Sequence, residues 1–149
     1  MEDNTNKQYT DEQYINKWFT FSNIDQHIWY IKYGASCTDI EMDHFIVAYQ
    51  NEFTKVNKKS IIFNGLKIER LSFGQSIKMA NMMQNMRNIH NQKLSCFAIV
   101  LSNSMIIGIL NFIFKLVPPV RPYIVCNTIE KAKNFIKKQN PNIYNSIVN

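Results

Sequence analysis

Residues 94–101, Leu-Ser-Cys-Phe-Ala-Ile-Val-Leu, form an almost unbroken apolar run. A strand with one wet face alternates apolar and polar residues. A strand without alternation needs cover on both faces, which points to a largely parallel sheet with helices packed against it. This run constrains the chain most, because it demands an interior strand and at least one helix on each side.

Periodicity supplies the neighbouring elements. Thr10-Asp11-Glu12-Gln13 fits a capping box and predicts a short helix over 11–17. Aromatic and small residues alternate over 18–23, and 27–33 reads as the second strand of a hairpin turning at Asp25-Gln26. Thr38-x-x-Glu41 caps a helix over 39–56, in which Met42, Phe45, Ile46, Tyr49, Phe53 and Val56 step by three or four. A buried strand is expected at 60–63, stopped by Asn64-Gly65. Ser72-x-x-Gln75 opens a long helix over 73–90. Ser102-Asn103-Ser104 caps another over 105–116, and Pro118-Pro119 ends it. Pro122 starts but cannot sit within a strand, so 123–126 is a short edge strand. Asn127-x-x-Glu130 caps a last helix over 128–139, stopped by Pro141.

The order β-β-α-β-α-β-α-β-α is an α/β fold. It predicts a mixed four- to five-stranded sheet with about four helices, in one domain over 18–139 of the 149 residues. Residues 1–17 are a polar extension and 140–149 a polar tail. The expected core is Ile61, Phe63, Phe97, Ile99, Leu101, Phe45, Tyr49, Ile77, Ala80, Ile109 and Ile113.

Charge divides the chain. Residues 1–84 hold nine Lys/Arg against ten Asp/Glu, whereas 85–149 hold eight against one, Glu130. A basic half suits an anionic partner such as a membrane surface or an acidic protein. Nucleic acid is disfavoured, because no recognition motif or aromatic–basic strand face accompanies the charge. The frequent Asn, Ile and Lys suggest an AT-rich genome, so Asn-rich stretches are given little chemical weight. Cys37, Cys96 and Cys126 are odd in number and show no CxxC spacing. They read as reduced thiols, with Cys96 and Cys126 as small core residues. The acidic start Met1-Glu2-Asp3-Asn4 is no signal peptide, and no apolar stretch reaches the length of a bilayer span. These features predict a cytoplasmic protein.

No catalytic constellation stands out. His27, His44 and His90 fall in different elements, with His44 and His90 expected on polar helix faces, and no metal-ligand or phosphate-loop spacing occurs. No metal, cofactor or enzymatic activity is expected. Asp39, Glu41 and Asp43 suit the positive end of a helix dipole. Met79, Met82, Met83 and Met86, at i, i+3, i+4 and i+7, either fill the core or make an adaptable groove for a partner. Helix 105–116 is apolar nearly all round, so part of it should meet a partner. Its outward row is either Ile106, Leu110 and Ile113, or Ile109, Phe112 and Leu116. Lys115, Arg121, Lys131, Lys133, Lys137 and Lys138 form a basic rim that would suit a lipid surface. The carboxyl ends of the strands offer a ligand or anion site at Asn64, Ser102, Asn103 and Ser104, with Arg121 folding back to it.

The segment Leu101-Ser102-Asn103-Ser104, then 108–116, Pro118-Pro119-Val120-Arg121-Pro122, and 128–135 with Glu130-Lys131-Ala132, resembles the end of the STAS superfamily of anti-sigma-factor antagonist-like (SpoIIAA-like) domains. The resemblance covers about residues 18–139. It implies the strand–helix order above and a regulatory or scaffolding role through protein contact. Partner-switching members carry an Asp-Ser-Ser-Gly-like turn with a phosphorylated Ser. The corresponding Arg70-Leu71-Ser72-Phe73-Gly74-Gln75-Ser76 lacks the Asp and has Phe73 in place of a Ser. Ser72 is therefore read as a helix cap and disfavoured as a phosphosite. The expected function is a non-enzymatic regulatory or scaffolding protein that binds a protein partner or a second copy of itself. The alternative is a small-molecule or lipid-surface binding module built on helix 105–116.

Overall fold

A computed structural model describes residues 18–55 and 57–148, with the backbone alone described over 145–148. The helix expected at 11–17 lies outside the described residues. Strands β1 (Phe19–Asp25) and β2 (Ile28–Tyr33) form the hairpin. Asp25 builds its turn: Oδ1 accepts the N–H groups of His27 and Ile28 at 2.6 and 3.0 Å. Strands β3 (Lys59–Asn64), β4 (Leu94–Val100) and β5 (Tyr123–Cys126) continue from β2 in parallel. The spatial order is β1-β2-β3-β4-β5, a five-stranded mixed sheet. Interior β4 and edge β5 stand where the apolar run and Pro122 put them.

Six helices are described: α1 (Asp39–Lys55), α2 (Phe73–Asn85), α3 (Arg87–Lys93), α4 (Ser104–Leu116), α5 (Ile129–Gln139) and α6 (Pro141–Val148). Reciprocal capping boxes start α1, between Thr38 and Glu41, and α2, between Ser72 and Gln75. Three readings of the sequence need correction. The helix expected over 73–90 is two helices, because Met86 leaves helical geometry at φ −100 and ψ 7. The cap of α5 is Thr128, whose Oγ1 accepts the Lys131 N–H at 3.1 Å, while Asn127 Oδ1 accepts from Lys131 Nζ. The tail is helical over Pro141–Val148: Pro141 opens α6, where its fixed φ and missing N–H suit the first turn.

The two sheet faces carry separate cores. On one, Ile31, Ile61, Phe97 and Leu101 meet Met42, Phe45, Tyr49, Phe53, Met82 and Ile106 of the α1, α2 and α4 side. On the other, Ile28, Ile62, Cys96, Ala98 and Val100 meet Ala132 and Ile136 of α5. Of the expected core, Phe63, Ile77, Ile99 and Ile109 are only half-buried.

Asn140 fastens α5 to the sheet. Its Nδ2 donates to Ile136 O at 2.8 Å and to Ser60 Oγ at 3.3 Å, and its Oδ1 accepts from Ser95 Oγ at 2.6 Å. Asn140→Ala leaves the Ser95 and Ser60 hydroxyls without this partner and should cost about 1–3 kcal/mol, read as a lower urea midpoint at an unchanged slope.

Candidate functional site

Between the sheet and the α2/α4 pair lies a cavity of about 130 Å³. Phe63, Phe97 and Ile99 form its floor; Met79, Met82, Met83, Ile109, Leu110, Ile113 and Phe114 form its roof. Trp18 and Tyr33 close one end, and the loop Pro118–Arg121 the other. The local cause is how each helix meets the sheet. Helix α5 lies directly along β3, β4 and β5, whereas α2 and α4 pack chiefly on one another. Large side chains hold this pair off the strands, and they do not fill the space beneath. Phe63, Ile99 and Ile109 are half-buried because they border that space. Of the α2 methionines, Met82 and Met86 are buried, Met79 and Met83 are half-buried, and Met79, Met82 and Met83 line the cavity.

One polar pair lies in the wall. Tyr49 Oη and His90 Nε2 are 2.8 Å apart. His90 also packs edge-on against Phe53. The expectation of a polar-face histidine is therefore wrong: Met82, Met86 and His90 share a line at i, i+4 and i+8, and that line faces the core. Burial lowers the His90 pKa to about 4, which keeps the imidazole neutral at neutral pH. Two arginines complete the lining at the Pro118–Arg121 end. Arg87 Nη1 donates to Pro118 O at 3.1 Å, and Arg121 Nε donates to Ser95 O at 3.3 Å.

The predicted site residues are not brought together as expected. Asn64 is buried, with Nδ2 on Tyr30 Oη at 2.6 Å and Oδ1 accepting the Leu66 N–H, so its side chain is occupied. Asn103 caps α4 through the Met105 N–H at 2.9 Å, while Ser102 and Ser104 are exposed. Arg121 cannot join them. It bonds to Ser95 at the start of β4, whereas Ser102–Ser104 follow the end of that strand. The proline loop feeds β5 from the amino ends of the parallel strands, which fixes Arg121 there.

Of the expected interface, Ile106 and Ile113 are buried within the chain at 3% exposure each, and Leu110 is half-buried over the cavity. The outward side of α4 holds Met105, Phe112 and Leu116. The basic rim also divides: Lys131, Lys133, Lys137 and Lys138 belong to α5, across the sheet from α4. Ser72 is the exposed N-cap of α2, and its partner Gln75 is buried, reaching Cys37 O at 2.9 Å and Asp39 Oδ1 at 3.2 Å.

Burial pushes the thiols of Cys37, Cys96 and Cys126 above their ordinary value; for Cys37, with Glu41 and Asp39 adding, to about 12. Among the described residues no group of three or more His, Cys, Asp or Glu could hold a metal ion, and no helix is long and apolar enough to cross a membrane. No protein-family model, curated protein or solved structure matches the chain.

Arg87, Tyr49 and His90 are the site residues that sequence reasoning missed. The methionine spacing was the available signal for the cavity, and nothing in the sequence pairs Tyr49 with a residue 41 positions away.

The buried imidazole makes stability depend on pH with a definite sign. Its folded pKa lies below the unfolded value of about 6.5, so neutral His90 stabilises the fold above that pH, and the contribution is lost as pH falls towards about 4. Between pH 7.5 and 4.5 the unfolding free energy from urea titration should fall further for the wild type than for His90→Gln, by an amount on the order of 1–3 kcal/mol.

Proposed function

We propose that this protein is a non-enzymatic binding module that takes a small apolar molecule into the cavity between the sheet and α2/α4. The observation that carries the reading is the cavity itself: about 130 Å³ of space with an almost wholly apolar lining. An enclosed engineered apolar cavity of about 150 Å³ binds benzene, so space of comparable volume with an apolar lining suits an apolar guest. The methionines Met79 and Met83 give the roof side chains that can repack around differently shaped guests.

The test uses phenylbutanol as an uncharged probe followed by amide and indole NMR. The Trp18 indole, whose N–H donates to Gly34 O at 3.0 Å, borders the cavity and should shift on titration. The Trp29 indole should shift less, because that ring stacks instead on Tyr49 and Phe53. Ile109→Phe fills space that Ile109 borders. It should weaken binding by about tenfold or more while leaving thermal stability equal or higher. Absence of any shift at the cavity residues would overturn the reading.

A separate observation favours a second reading. Met105, Phe112 and Leu116 share one outward face of α4 at i, i+7 and i+11, with exposures of 67%, 37% and 49%. The ring of Phe73, itself 71% exposed, lies 5.8 Å from Phe112. Clustered apolar side chains of this kind are the usual centre of a protein interface. On this reading the protein acts by regulatory or scaffolding contact, as the STAS resemblance implies, and the partner is a second copy of the chain. Sedimentation velocity should then show a dimer that Phe112→Glu dissociates. A wild type that stays monomeric at high micromolar concentration contradicts self-association.

A further inference from the structure

We infer that the cavity selects amphipathic monocarboxylates: a benzene-sized apolar group inside, and a carboxylate held by Arg87 and Arg121 at the Pro118–Arg121 end. The inference rests on the proposed apolar-ligand reading and adds the charge of the head group.

Three observations carry it. Arg87 and Arg121 both line the cavity, and among the described residues no other Lys or Arg does. Each donates one N–H to a backbone carbonyl, Pro118 O for Arg87 and Ser95 O for Arg121, which orients the fork. Neither arginine is among the described ion pairs, which are Lys55–Glu52 and Lys78–Asp43. The sequence around them deepens this imbalance, since Glu130 is the sole acidic residue after position 84 and it is exposed on α5, across the sheet from the cavity. An arginine beside an apolar surface and without a carboxylate partner is a ready acceptor for an anionic head, and a planar fork suits a carboxylate. Low-dielectric walls next to the pair strengthen that attraction relative to open water. The remaining wall adds no competing anion: Tyr49 and His90 satisfy each other, and both are neutral at pH 7.

The experiment compares phenylbutyrate with phenylbutanol, which share the apolar part and differ in the head. Affinities are measured at pH 7.5 by calorimetry, in low and high salt. The wild type should bind the acid about tenfold tighter than the alcohol at low salt, with the ratio shrinking in high salt. Arg87→Gln and Arg121→Gln should each lower the acid's affinity more than the alcohol's, and the double variant should bring the ratio close to one. Equal wild-type affinities, or a ratio that survives both substitutions, would overturn the carboxylate inference while leaving the apolar cavity standing. Failure of both probes to bind would remove the cavity reading itself. If an arginine variant does not fold, the wild-type ratio and its salt dependence decide the matter.

Discussion

Everything in this fold depends on β4 being covered on both faces by residues of different size. Cys96, Ala98 and Val100 face α5, and two of these three are small. Their size lets α5 settle against the sheet through Ala132 and Ile136, with Asn140 tying its end to Ser60 and Ser95. Phe97 and Ile99 face the other way, beside Phe63 and Tyr49. Bulky rings of that kind fill a layer only when the facing helix interlocks with them. Helices α2 and α4 interlock with each other instead, and the void between them and the strands is the consequence.

That void has a cost which its lining offsets. A gap beneath a helix pair forfeits dispersion contacts on every wall. Aromatic contacts compensate along the edges: Phe97 stacks on Tyr123 with centroids 5.4 Å apart, and Phe114 meets Tyr123 edge-on. At the other end Tyr49 stacks on Trp29 and Phe53. The Tyr49–His90 bond satisfies two polar groups that would otherwise be buried alone. Space is thus retained in the middle of a well-packed rim, which is the usual arrangement of a ligand pocket.

The sequence was most informative where one physical signal acted alone. The apolar run at 94–101, Pro122, and the two reciprocal capping boxes located β4, β5 and the starts of α1 and α2. It was silent where the signal was tertiary. Met82, Met86 and His90 keep helical spacing across the break at Met86, so periodicity read through it. Pro141 serves as a stop and as a first helical residue with the same chemistry, and only the outcome at Asn140 distinguishes them. The all-round apolar character of α4 was visible, but which row turned outward was not. Whether a wall of large residues packs or leaves space is a matter of helix placement, so the cavity and the presence of both Arg87 and Arg121 in its lining could not be read from the chain.

The central claim is that the space between the sheet and α2/α4 persists as an apolar cavity able to take up a guest. Xenon-pressurised crystals test it without reference to any particular ligand. Ordered xenon among Phe97, Ile99, Met83 and Ile109 is the predicted result, since these residues border the cavity and an apolar void of this size takes up xenon. A structure in which α2 and α4 have closed onto the strands, leaving no xenon and Ile99 and Ile109 fully buried, would contradict it.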